Sequence, residues 1–559
     1  MSSTLDTTAT QGFRVGAGGA APDYDLVLRL EQLNAIGASL SAERDIDRLL
    51  EAILSAAKTI TRADGGTLYR VTEERTLRFE IVRTSSLRYY LGGTTGNPVP
   101  FYPIQLYKDG KPNQSMVAAY AALTGKTVNI ADAYTADGFD FSGTRAFDSK
   151  TGYRSKSFLT VPMRNHENET IGVLQLINAQ DPTSGQIVPF SPSDQRLAES
   201  LASQAAIALT NRMLINQLEE LFESFIKLIN TAIDEKSPYT GGHCQRVPAL
   251  TMLLAEAVNE TKEGPLRDFH MSDKDRYELK IAGLLHDCGK VTTPVHVVDK
   301  ATKLETIFDR IQLIDTRFEV LKRDAELEAL RKKHIFLEQR KPMEAAEEDK
   351  RLRDQLRQLE DDRRFLHACN IGGERMRDED IERVRRIGQY RWRDMAGHEA
   401  QFLTADEVKN LTIRSGTLTE EERKVINHHI VATVRMLEAL PWPKHLTNVP
   451  EYAGGHHERM DGKGYPKGLT REQMSIQARC MGIADIFEAL TAKDRPYKKG
   501  KTLSESLEIL GRMKLNNHVD PDLFDIFVRR KVYRRYAEMF LDPEQIDTVD
   551  ESKIPGFQP

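Results

Sequence analysis

Strand-like runs are confined to the first third of the chain, and this confinement limits the possible fold more than any other feature. Residues 26–40 and 46–60 have the apolar spacing of helices, and five short strand-like runs follow between residues 66 and 180. Long helical stretches follow from residue 196 onward. The pattern predicts an α+β domain over residues 23–213, and 559 residues are enough for two or three buried cores.

Composition narrows the class of protein. The formal net charge is only -5, with acidic and basic residues interspersed, so neither bulk nucleic acid nor a membrane surface is an expected partner. Residues 1–22 are small and polar and predict a disordered tail. The four scattered cysteines form no CxxC pair, and no apolar run approaches the length of a spanning helix, which together predict a cytoplasmic protein with reduced thiols.

A heptad seam runs through the helical stretch 196–236. Its apolar positions alternate by four and three residues: Leu214, Leu218, Leu221, Phe225, Leu228 and Ala232. Such a seam needs cover, and a second copy of the same helix is the usual solution, so the sequence predicts a coiled-coil linker and a parallel homodimer. The alternative is that the helix packs on its own chain.

A second long helical stretch predicts a helical hairpin within residues 303–412. Apolar stripes mark two arms, and RKPME at residues 340–344 predicts the turn: Ile314, Phe318, Leu321 and Ala325, then Leu352, Leu356, Leu359 and Leu366. This hairpin could cover a pocket, widen a dimer or hold a partner. We expect a lid or a dimer element.

Histidines and aspartates recur in apolar helical contexts after residue 236. Imidazole and carboxylate groups suit iron, manganese and zinc, and an adjacent His-Asp pair can serve two metals with the carboxylate bridging. Five imidazoles and two carboxylates are more than a soluble core normally buries without partners. The candidates are His243, His286, Asp287, His429, His456, His457 and Asp485.

Two of these segments carry a specific resemblance. HDCGK at residues 286–290 and HHERMDGKGYP at residues 456–466 are similar to the two signatures of the HD-GYP family of phosphohydrolases. The resemblance implies an all-α domain over residues 220–545, interrupted by the hairpin and followed by a tail at 546–559. It also implies that the seven candidates bind iron or manganese, with Asp287 bridging, and that the substrate is a cyclic dinucleotide.

The same resemblance assigns roles to other residues. Lys290 would contact a phosphate oxygen and share catalysis with Asp287, while Glu458, Asp461 and Glu488 would support the ligands. Substrate-binding side chains would be Tyr465, Arg495, Tyr497 and Lys498. Members with three metals carry a glutamate four residues before the first ligand histidine, where this chain has Tyr239, so we expect two divalent ions. Lys290 could instead be a helix C-terminal cation, and Arg495 a surface ion-pair partner.

The α+β segment resembles a GAF domain, a small-ligand sensory fold. The resemblance rests on RADGGTLYRV, GYRSKSFLTVPM and IGVLQLINAQ, at residues 62–71, 152–163 and 171–180. Asn178, Phe190 and Asp194 are similar to residues that mark cyclic-nucleotide-binding GAF domains, but Ala179 stands where a lysine is expected. A purely structural, dimerising GAF domain is equally consistent with the sequence.

Together these patterns indicate a GAF-regulated, metal-dependent phosphodiesterase that hydrolyses cyclic di-GMP to pGpG and, in some members of the family, on to GMP. One alternative keeps the enzyme and changes the substrate to another cyclic dinucleotide, such as cyclic GMP-AMP. The other is a cyclic dinucleotide receptor or dimeric signalling scaffold with little turnover. A receptor needs no activated water, so the complete ligand set and Lys290 favour catalysis.

Overall fold

The protein is described by a computed structural model over residues 24–236, 242–373, 375–493 and 500–558. Internal contacts divide the chain into two units, the first ending at Phe222 and the second beginning at Glu223. Within the described ranges, no helix is both long and apolar enough to cross a bilayer. The predicted tail at residues 1–22 lies outside the described residues. All four cysteines are unpaired, as expected.

The first unit contains a sheet with helices on both sides. Its elements, apart from a short 3-10 turn at Gly93–Thr95, are α1 (Tyr24–Ala42), α2 (Ile46–Thr61), β1 (Ala63–Val71), β2 (Thr76–Thr84), β3 (Tyr89–Gly92), β4 (Ile104–Gln105), β5 (Tyr107–Lys108), β6 (Lys111–Pro112), α3 (Val117–Thr124), β7 (Val128–Ile130), α4 (Ser142–Thr151), β8 (Phe158–Arg164), β9 (Thr170–Gln180), β10 (Ile187–Val188) and α5 (Pro192–Lys236).

The sheet is antiparallel, with strand order β3-β2-β1-β9-β8-β7; β4 and β10 pair at its margins. Side chains alternate across it, as the period of two requires. Leu174 and Leu176 of β9 join one core with α1, α2 and the first turns of α5. Gln175 and Ile177 point to the opposite face, where α3 and α4 cover a cavity. The predicted α+β domain is therefore present.

That cavity has a volume of about 420 Å³. Aromatic side chains dominate its walls, and Ser142 and Thr144 at the start of α4 supply hydroxyl groups at one side. Among the described lining residues, Asp140 is the one with a formal charge at neutral pH. The principal aromatic residues of the wall are Tyr69, Phe79, Phe101, Phe147, Tyr153 and Phe158.

Helix α5 continues without a break for 45 residues. Its first turns are buried in the core of the first unit, whereas most of the seam positions predicted from the heptads are exposed. Ala232 is also exposed. The exposed apolar residues at the seam are Leu214, Leu218, Leu221, Phe225 and Leu228. The helix is present, and pairing through its seam stays a prediction.

The second unit is mostly helical. Besides short 3-10 turns, its elements are α6 (His243–Asn259), α7 (Asp273–Leu285), α8 (Val295–Val298), α9 (Ile311–Glu338), α10 (Pro342–Asn370), α11 (Asp378–Gly388), β11 (Arg391–Arg393), β12 (Glu399–Gln401), α12 (Ala405–Leu411), α13 (Glu420–Glu438), α14 (Val449–Gly454), α15 (Ile476–Thr491), α16 (Leu503–Leu515), α17 (Pro521–Arg529) and α18 (Val532–Phe540).

Helix α6 lies at the centre of this unit and contacts α7, α15, α17 and α18. Aromatic rings fill the space near α15: the ring centroids of Phe487 and Phe527 are 5.0 Å apart, and those of Phe487 and Tyr536 are 6.0 Å apart. Residues 546–558, predicted as a tail, instead pack on α16. Ile554 is buried there, and Lys514 donates a hydrogen bond to the carbonyl oxygen of Gly556.

Helices α9 and α10 form an antiparallel pair with a core of their own. Lys333 pairs with Asp349 near the turn, and Arg363 pairs with Asp315 near the base. Phe318, Leu366, Val384 and Phe402 belong to one buried cluster that joins this pair to α11 and α12. That this segment interrupts a catalytic domain stays a prediction.

The expectation of an all-α domain is wrong at one place, because β11 and β12 form a small hairpin within residues 303–412. Its turn follows from local chemistry. The Asp394 carboxylate accepts hydrogen bonds from the backbone N–H groups of Ala396 and His398, and Gly397 adopts a φ of 81°, which glycine tolerates without strain.

Candidate metal centre

Seven predicted ligands converge in the second unit from the ends and middles of different helices. His243 is the first residue of α6, His286 and Asp287 directly follow α7, and His429 lies within α13. His456 and His457 follow α14, and Asp485 lies within α15. Two sets within these seven have their potential ligand atoms within 4.8 Å of one another: His243, His286 and Asp287, and His429, His456 and His457.

Asp287 lies between the two sets. Its Oδ2 atom is 3.0 Å from His243 Nε2 and 3.3 Å from His286 Nε2, while its Oδ1 atom is 3.2 Å from His429 Nε2. Asp485 approaches both sets, with Oδ1 3.4 Å from His243 Nε2 and Oδ2 4.0 Å from His457 Nδ1. The two oxygens of the Asp287 carboxylate therefore face different groups of imidazoles.

Backbone carbonyl groups fix the orientation of three imidazoles. The Nδ1–H group of His286 donates to the carbonyl oxygen of Gly283 at 2.6 Å, and that of His456 donates to Ala453 at 2.5 Å. His429 makes the same contact with Ile426. A carbonyl oxygen can only accept, so each ring carries its proton on Nδ1 and directs the lone pair of Nε2 into the site.

His243 is oriented differently, through a carboxylate. Its Nδ1 atom is 2.6 Å from Glu488 Oε2, and Arg246 Nε donates to Glu488 Oε1 at 2.7 Å. Burial and Lys290 disfavour the imidazolium, but hydrogen bonds to Asp287 and Glu488 outweigh them and raise the pKa of His243 to about 10. Glu488 thus orients His243, and its role in support of a metal ligand stays a prediction; Arg246, three residues after His243, was missed.

The residues present fit a group of divalent cations. Asp287 Oδ1 and His456 Nε2 are buried and have no hydrogen-bond partner among the described residues, although buried polar atoms are normally paired. Burial and the neighbouring His286 lower the pKa of His456 to about 4, so this imidazole is neutral and can offer its lone pair. A ligand set of imidazole nitrogens and carboxylate oxygens suits iron, manganese or zinc.

The loop after His457 is held by Glu458. Its carboxylate accepts hydrogen bonds from the backbone N–H groups of Lys467 at 2.7 Å and Leu469 at 2.9 Å, and also from Gly468. Asp461 pairs with Arg459 and accepts from the N–H group of Lys463. Both acids therefore stabilise the loop, and their support of the metal ligands stays a prediction.

Tyr465 closes the loop against the site. Its ring stacks on the ring of His457, with centroids 4.9 Å apart and an interplanar angle of 24°.

Lys290 pairs with the central carboxylate of the site: its Nζ atom lies 2.5 Å from Asp287 Oδ2. Although burial opposes ionisation of the Asp287 carboxyl, Lys290 and His286 hold its pKa well below its usual range. Arg495, Tyr497, Lys498 and Tyr239 lie outside the described residues.

A glycine sets the distance between two ligand-bearing segments. A Cβ atom added at Gly289 would lie 2.0 Å from the carbonyl oxygen of His429, so no other residue fits without displacing the backbone. The N–H group of Gly289 also donates to Thr433 Oγ1 at 2.9 Å. The sequence drew attention to HDCGK for its ligands, but this contact across 144 residues was missed.

In the first unit, the prediction that Asn178, Phe190 and Asp194 bind a ligand is wrong in its geometry, because none of them lines the cavity. Asn178 Oδ1 accepts from the N–H groups of Lys156 and Ser157, and Asp194 pairs with Arg29. Phe190 is buried in the core between sheet and helices. All three residues stabilise the fold.

Comparison with known families agrees with both halves of this architecture. Residues 45–209 match the GAF domain family, and residues 240–366 and 403–523 match families described as HD domains. The chain contains a GAF domain and an HD domain. The HD matches include all seven candidate ligands, and residues 367–402 lie between the two matched segments.

Relatives of the chain are named as cyclic dinucleotide phosphodiesterases. A cyclic di-GMP phosphodiesterase from Pseudomonas aeruginosa is 38% identical over 116 residues, which cover 21% of this chain and 27% of that protein. A 3'3'-cGAMP-specific phosphodiesterase from Vibrio cholerae is 35% identical over 116 residues, covering 21% and 26%. The chain thus spans about a quarter of the length of each relative. The resemblance to a GAF-containing HD-GYP phosphodiesterase is confirmed at this level.

A solved GAF domain from an Acinetobacter phosphoenolpyruvate-protein phosphotransferase is also similar. It is 16% identical, covers 34% of this chain and 96% of its own, and superposes with a TM-score of 0.25.

The protonation state of His243 gives a testable prediction for metal binding. Because its pKa is about 10 in the absence of metal, binding at pH 7 must displace a proton from this imidazole. We expect release of one proton from His243 per chain and affinity that rises about tenfold per pH unit between pH 7 and 9. Titration calorimetry with Mn(II), in two buffers of different ionisation heat, measures both.

Glu488→Gln is the matched control for this measurement. It removes the negative charge that favours the imidazolium, so fewer protons should be released at pH 7. Binding that releases no proton in the unsubstituted protein would contradict the assignment of His243 as a ligand.

Proposed function

We propose that the chain is a cytoplasmic, metal-dependent phosphodiesterase that hydrolyses cyclic di-GMP to pGpG, regulated by its GAF domain. The observation that carries this proposal is the position of Asp287, whose two oxygens face two separate groups of imidazoles. A receptor would need to recognise a dinucleotide, but it would have no use for a buried carboxylate shared by two ligand sets. The names of the HD-domain relatives support the substrate class.

Two divalent ions, iron or manganese, are proposed for this site. The first set, His243, His286 and Asp287 with Asp485, would hold one ion, and His429, His456 and His457 with the other oxygen of Asp287 would hold the second. When bound, such a pair of ions supplies Lewis acidity that activates water and neutralises charge on the phosphate. The buried Asp287 Oδ1 and His456 Nε2 atoms would gain partners.

The chain's own residues contribute binding, orientation and charge. The Glu488 carboxylate keeps His243 aligned, and the carbonyl groups of Gly283, Ile426 and Ala453 do the same for three other ligands. The ammonium group of Lys290 pairs with Asp287. When substrate is bound, this group would contact a non-bridging phosphate oxygen and stabilise its negative charge. Its location beside Asp287 supports the catalytic assignment over that of a helix-terminal cation.

Substrate recognition is proposed for the loop that follows the paired histidines and for the segment after α15. Tyr465, fixed by stacking on His457, presents an aromatic face beside the ligands on which a base could stack. Arg495, Tyr497 and Lys498 are assigned to the substrate on the family resemblance alone.

Two alternatives remain distinguishable. A 3'3'-cGAMP-specific relative favours an enzyme that prefers a mixed cyclic dinucleotide. A chain that binds the dinucleotide without cleaving it would be a receptor or signalling scaffold.

Regulation is proposed to pass through a homodimer. The exposed seam of α5 has the heptad spacing of a parallel coiled coil, and two copies would cover each other's apolar residues. Because α5 starts inside the core of the GAF domain, a ligand that shifts that core would act on the helix directly.

Turnover is the direct test of the proposed enzyme. Protein loaded with Mn(II) or Fe(II) should convert cyclic di-GMP to pGpG, measured by chromatography of the products beside a parallel assay with cyclic GMP-AMP. We expect Asp287→Asn to abolish turnover and Lys290→Met to lower kcat about 100-fold or more, because a charge near the phosphate is lost.

Lys444→Met is the control for Lys290→Met, because Lys444 is an exposed lysine that is not one of the site residues. Faster cleavage of cyclic GMP-AMP than of cyclic di-GMP would favour an enzyme that prefers the mixed dinucleotide. Tight binding of either dinucleotide without product, in metal-loaded protein, would establish the receptor instead.

The number of ions is a separate prediction. Since Tyr239 replaces the glutamate found in members with three metals, elemental analysis should find two ions per chain, and three would overturn the assignment. Asp485→Asn should lower the affinity for at least one ion by about 10–100-fold, since it removes a charged donor.

Ligand binding by the GAF domain can be assigned to its cavity. We propose a cyclic nucleotide whose base packs on the aromatic walls, with the Thr144 hydroxyl as a candidate hydrogen-bond donor to its polar groups; the Ser142 N–H group already donates to the Asp140 carboxylate at 2.8 Å. Calorimetry of the full chain with cyclic AMP and cyclic GMP should show binding that Ser142→Trp abolishes. Ser149→Trp, on the same helix but outside the lining, should retain it; no heat from the unsubstituted chain would favour a structural GAF domain.

A further inference from the structure

The outer face of α9 carries an apolar stripe, and three of its four residues are exposed in the described part of the chain. One face of this helix packs against α10 and the cluster around Phe318. The opposite face carries Leu327, Leu330 and Leu337, which are 47%, 62% and 53% exposed. Val320 precedes them by one heptad and is half-buried.

The spacing of this stripe is that of a helix-helix seam. Val320 and Leu327 are seven residues apart, Leu330 follows after three, and Leu337 follows after seven more. This is the 3.5-residue period with which two helices keep the same faces in contact. A helix that needed only α10 as a neighbour would not require a second stripe on its far side.

We propose that this stripe, defined by Val320, Leu327, Leu330 and Leu337, docks against the same stripe of a second copy of the chain in antiparallel orientation. The register follows from matching apolar positions. Placing Leu327 opposite Leu330 of the second copy also places Val320 opposite Leu337, and the two-fold axis repeats both layers. Four of six layers are then apolar.

The two remaining layers pair Arg323 with His334 of the second copy. Polar residues at isolated seam positions lower stability but fix the register. Shifting either helix by one heptad would leave leucines opposite polar residues or beyond the end of α9, so the proposed register buries the most apolar surface.

Charges that flank the stripe support self-pairing and its direction. Across an antiparallel seam, Asp324 would lie beside Arg331 of the second copy. Glu326 would lie beside Lys333, whose ammonium group also pairs with Asp349 of its own chain. All four contacts in the two-fold arrangement join opposite charges. A parallel arrangement would keep the opposite charges of Glu326 beside Arg331 and of Lys333 beside Glu338. It would also bring Glu319 beside Asp324 and Arg323 beside Arg323, which repel each other, so the antiparallel arrangement is the one without repulsive pairs at these flanking positions.

A second copy is therefore favoured over an unrelated partner, because the stripe complements itself in both apolar surface and charge. The interface would extend the dimer to α9, at a distance along the chain from the seam of α5. This proposal does not depend on any enzymatic activity, and its test measures mass only.

The test uses the full chain with Leu218→Glu and Leu228→Glu, which place charges in the exposed seam of α5 and remove any pairing there. Sedimentation velocity over a concentration series should still detect dimers of this chain. Adding Leu330→Glu should raise the dissociation constant about tenfold or more, since a charge would be buried at the seam. Leu515→Glu is the control, because Leu515 is also 62% exposed but lies on α16.

Charge exchange then tests the antiparallel register. In the same background, Asp324→Arg alone should weaken dimers by placing two arginines together, and so should Arg331→Asp by placing two aspartates together. An equimolar mixture of the two variants should restore association, since each chain then supplies the opposite charge.

Three results would overturn the proposal. A seam-substituted chain that stays monomeric at every concentration would exclude pairing through α9. An equal effect of Leu330→Glu and Leu515→Glu would show that the stripe is not the contact. Strengthened association of Asp324→Arg alone would indicate parallel pairing, because this arginine would then lie beside Glu319.

Discussion

A single carboxylate organises the second half of this molecule. Asp287 directs one oxygen toward His243 and His286 and the other toward His429, so three helices must end or pass within about 3 Å of one side chain. The candidate ligands on these helices do not rotate independently. Hydrogen bonds from Nδ1 to backbone carbonyl groups turn the rings of His286 and His429 inward, and Glu488 holds the ring of His243. The burial of these polar groups is costly without a cation, so the same arrangement that stabilises a loaded site leaves unpaired atoms in the empty one.

Two kinds of hydrogen bond orient the candidate ligands, one to backbone carbonyl groups and one to a carboxylate. Rings that follow the last turn of a helix use carbonyl groups three residues earlier, which is an acceptor that any sequence provides. His243 stands at the beginning of its helix, where no preceding turn exists, and it depends on Glu488 and Arg246 from its own and another helix. The difference explains why His243 uses a dedicated charged pair, whereas His286, His429 and His456 are oriented by backbone carbonyl groups.

Much of this could be predicted from the sequence because the signals were local. The five strand-like runs correspond to β1, β2, β7, β8 and β9, and the apolar stripes of the long hairpin match the buried faces of α9 and α10. Four of the seven candidate ligands were selected because they lie in two short motifs, and the other three because imidazole and carboxylate groups in apolar helices require an explanation. Short strands such as β4 and β11, of two and three residues, have no measurable period and were missed; the three-residue β7 was included because it lies within a longer strand-like run.

What could not be predicted depends on contacts between distant segments. Arg246 reaches Glu488 across 242 residues, and no local pattern distinguishes it from a solvated arginine. In the GAF domain, Asn178, Phe190 and Asp194 were similar in type to ligand-binding residues, yet the structure uses the amide of Asn178 to fix the backbone before β8 and Asp194 to hold α1. Residue type indicated that these positions were constrained but not which constraint applied.

The contact at Gly289 has one more consequence. Here two main chains touch with no side chain between them, so the gap between the His286–Asp287 corner and α13 is fixed by van der Waals radii and cannot adjust by a change of rotamer. A cage whose width is set by rigid backbone tolerates little variation in the size of its contents. Ionic radius, as well as ligand chemistry, would then decide which metal ion the site binds.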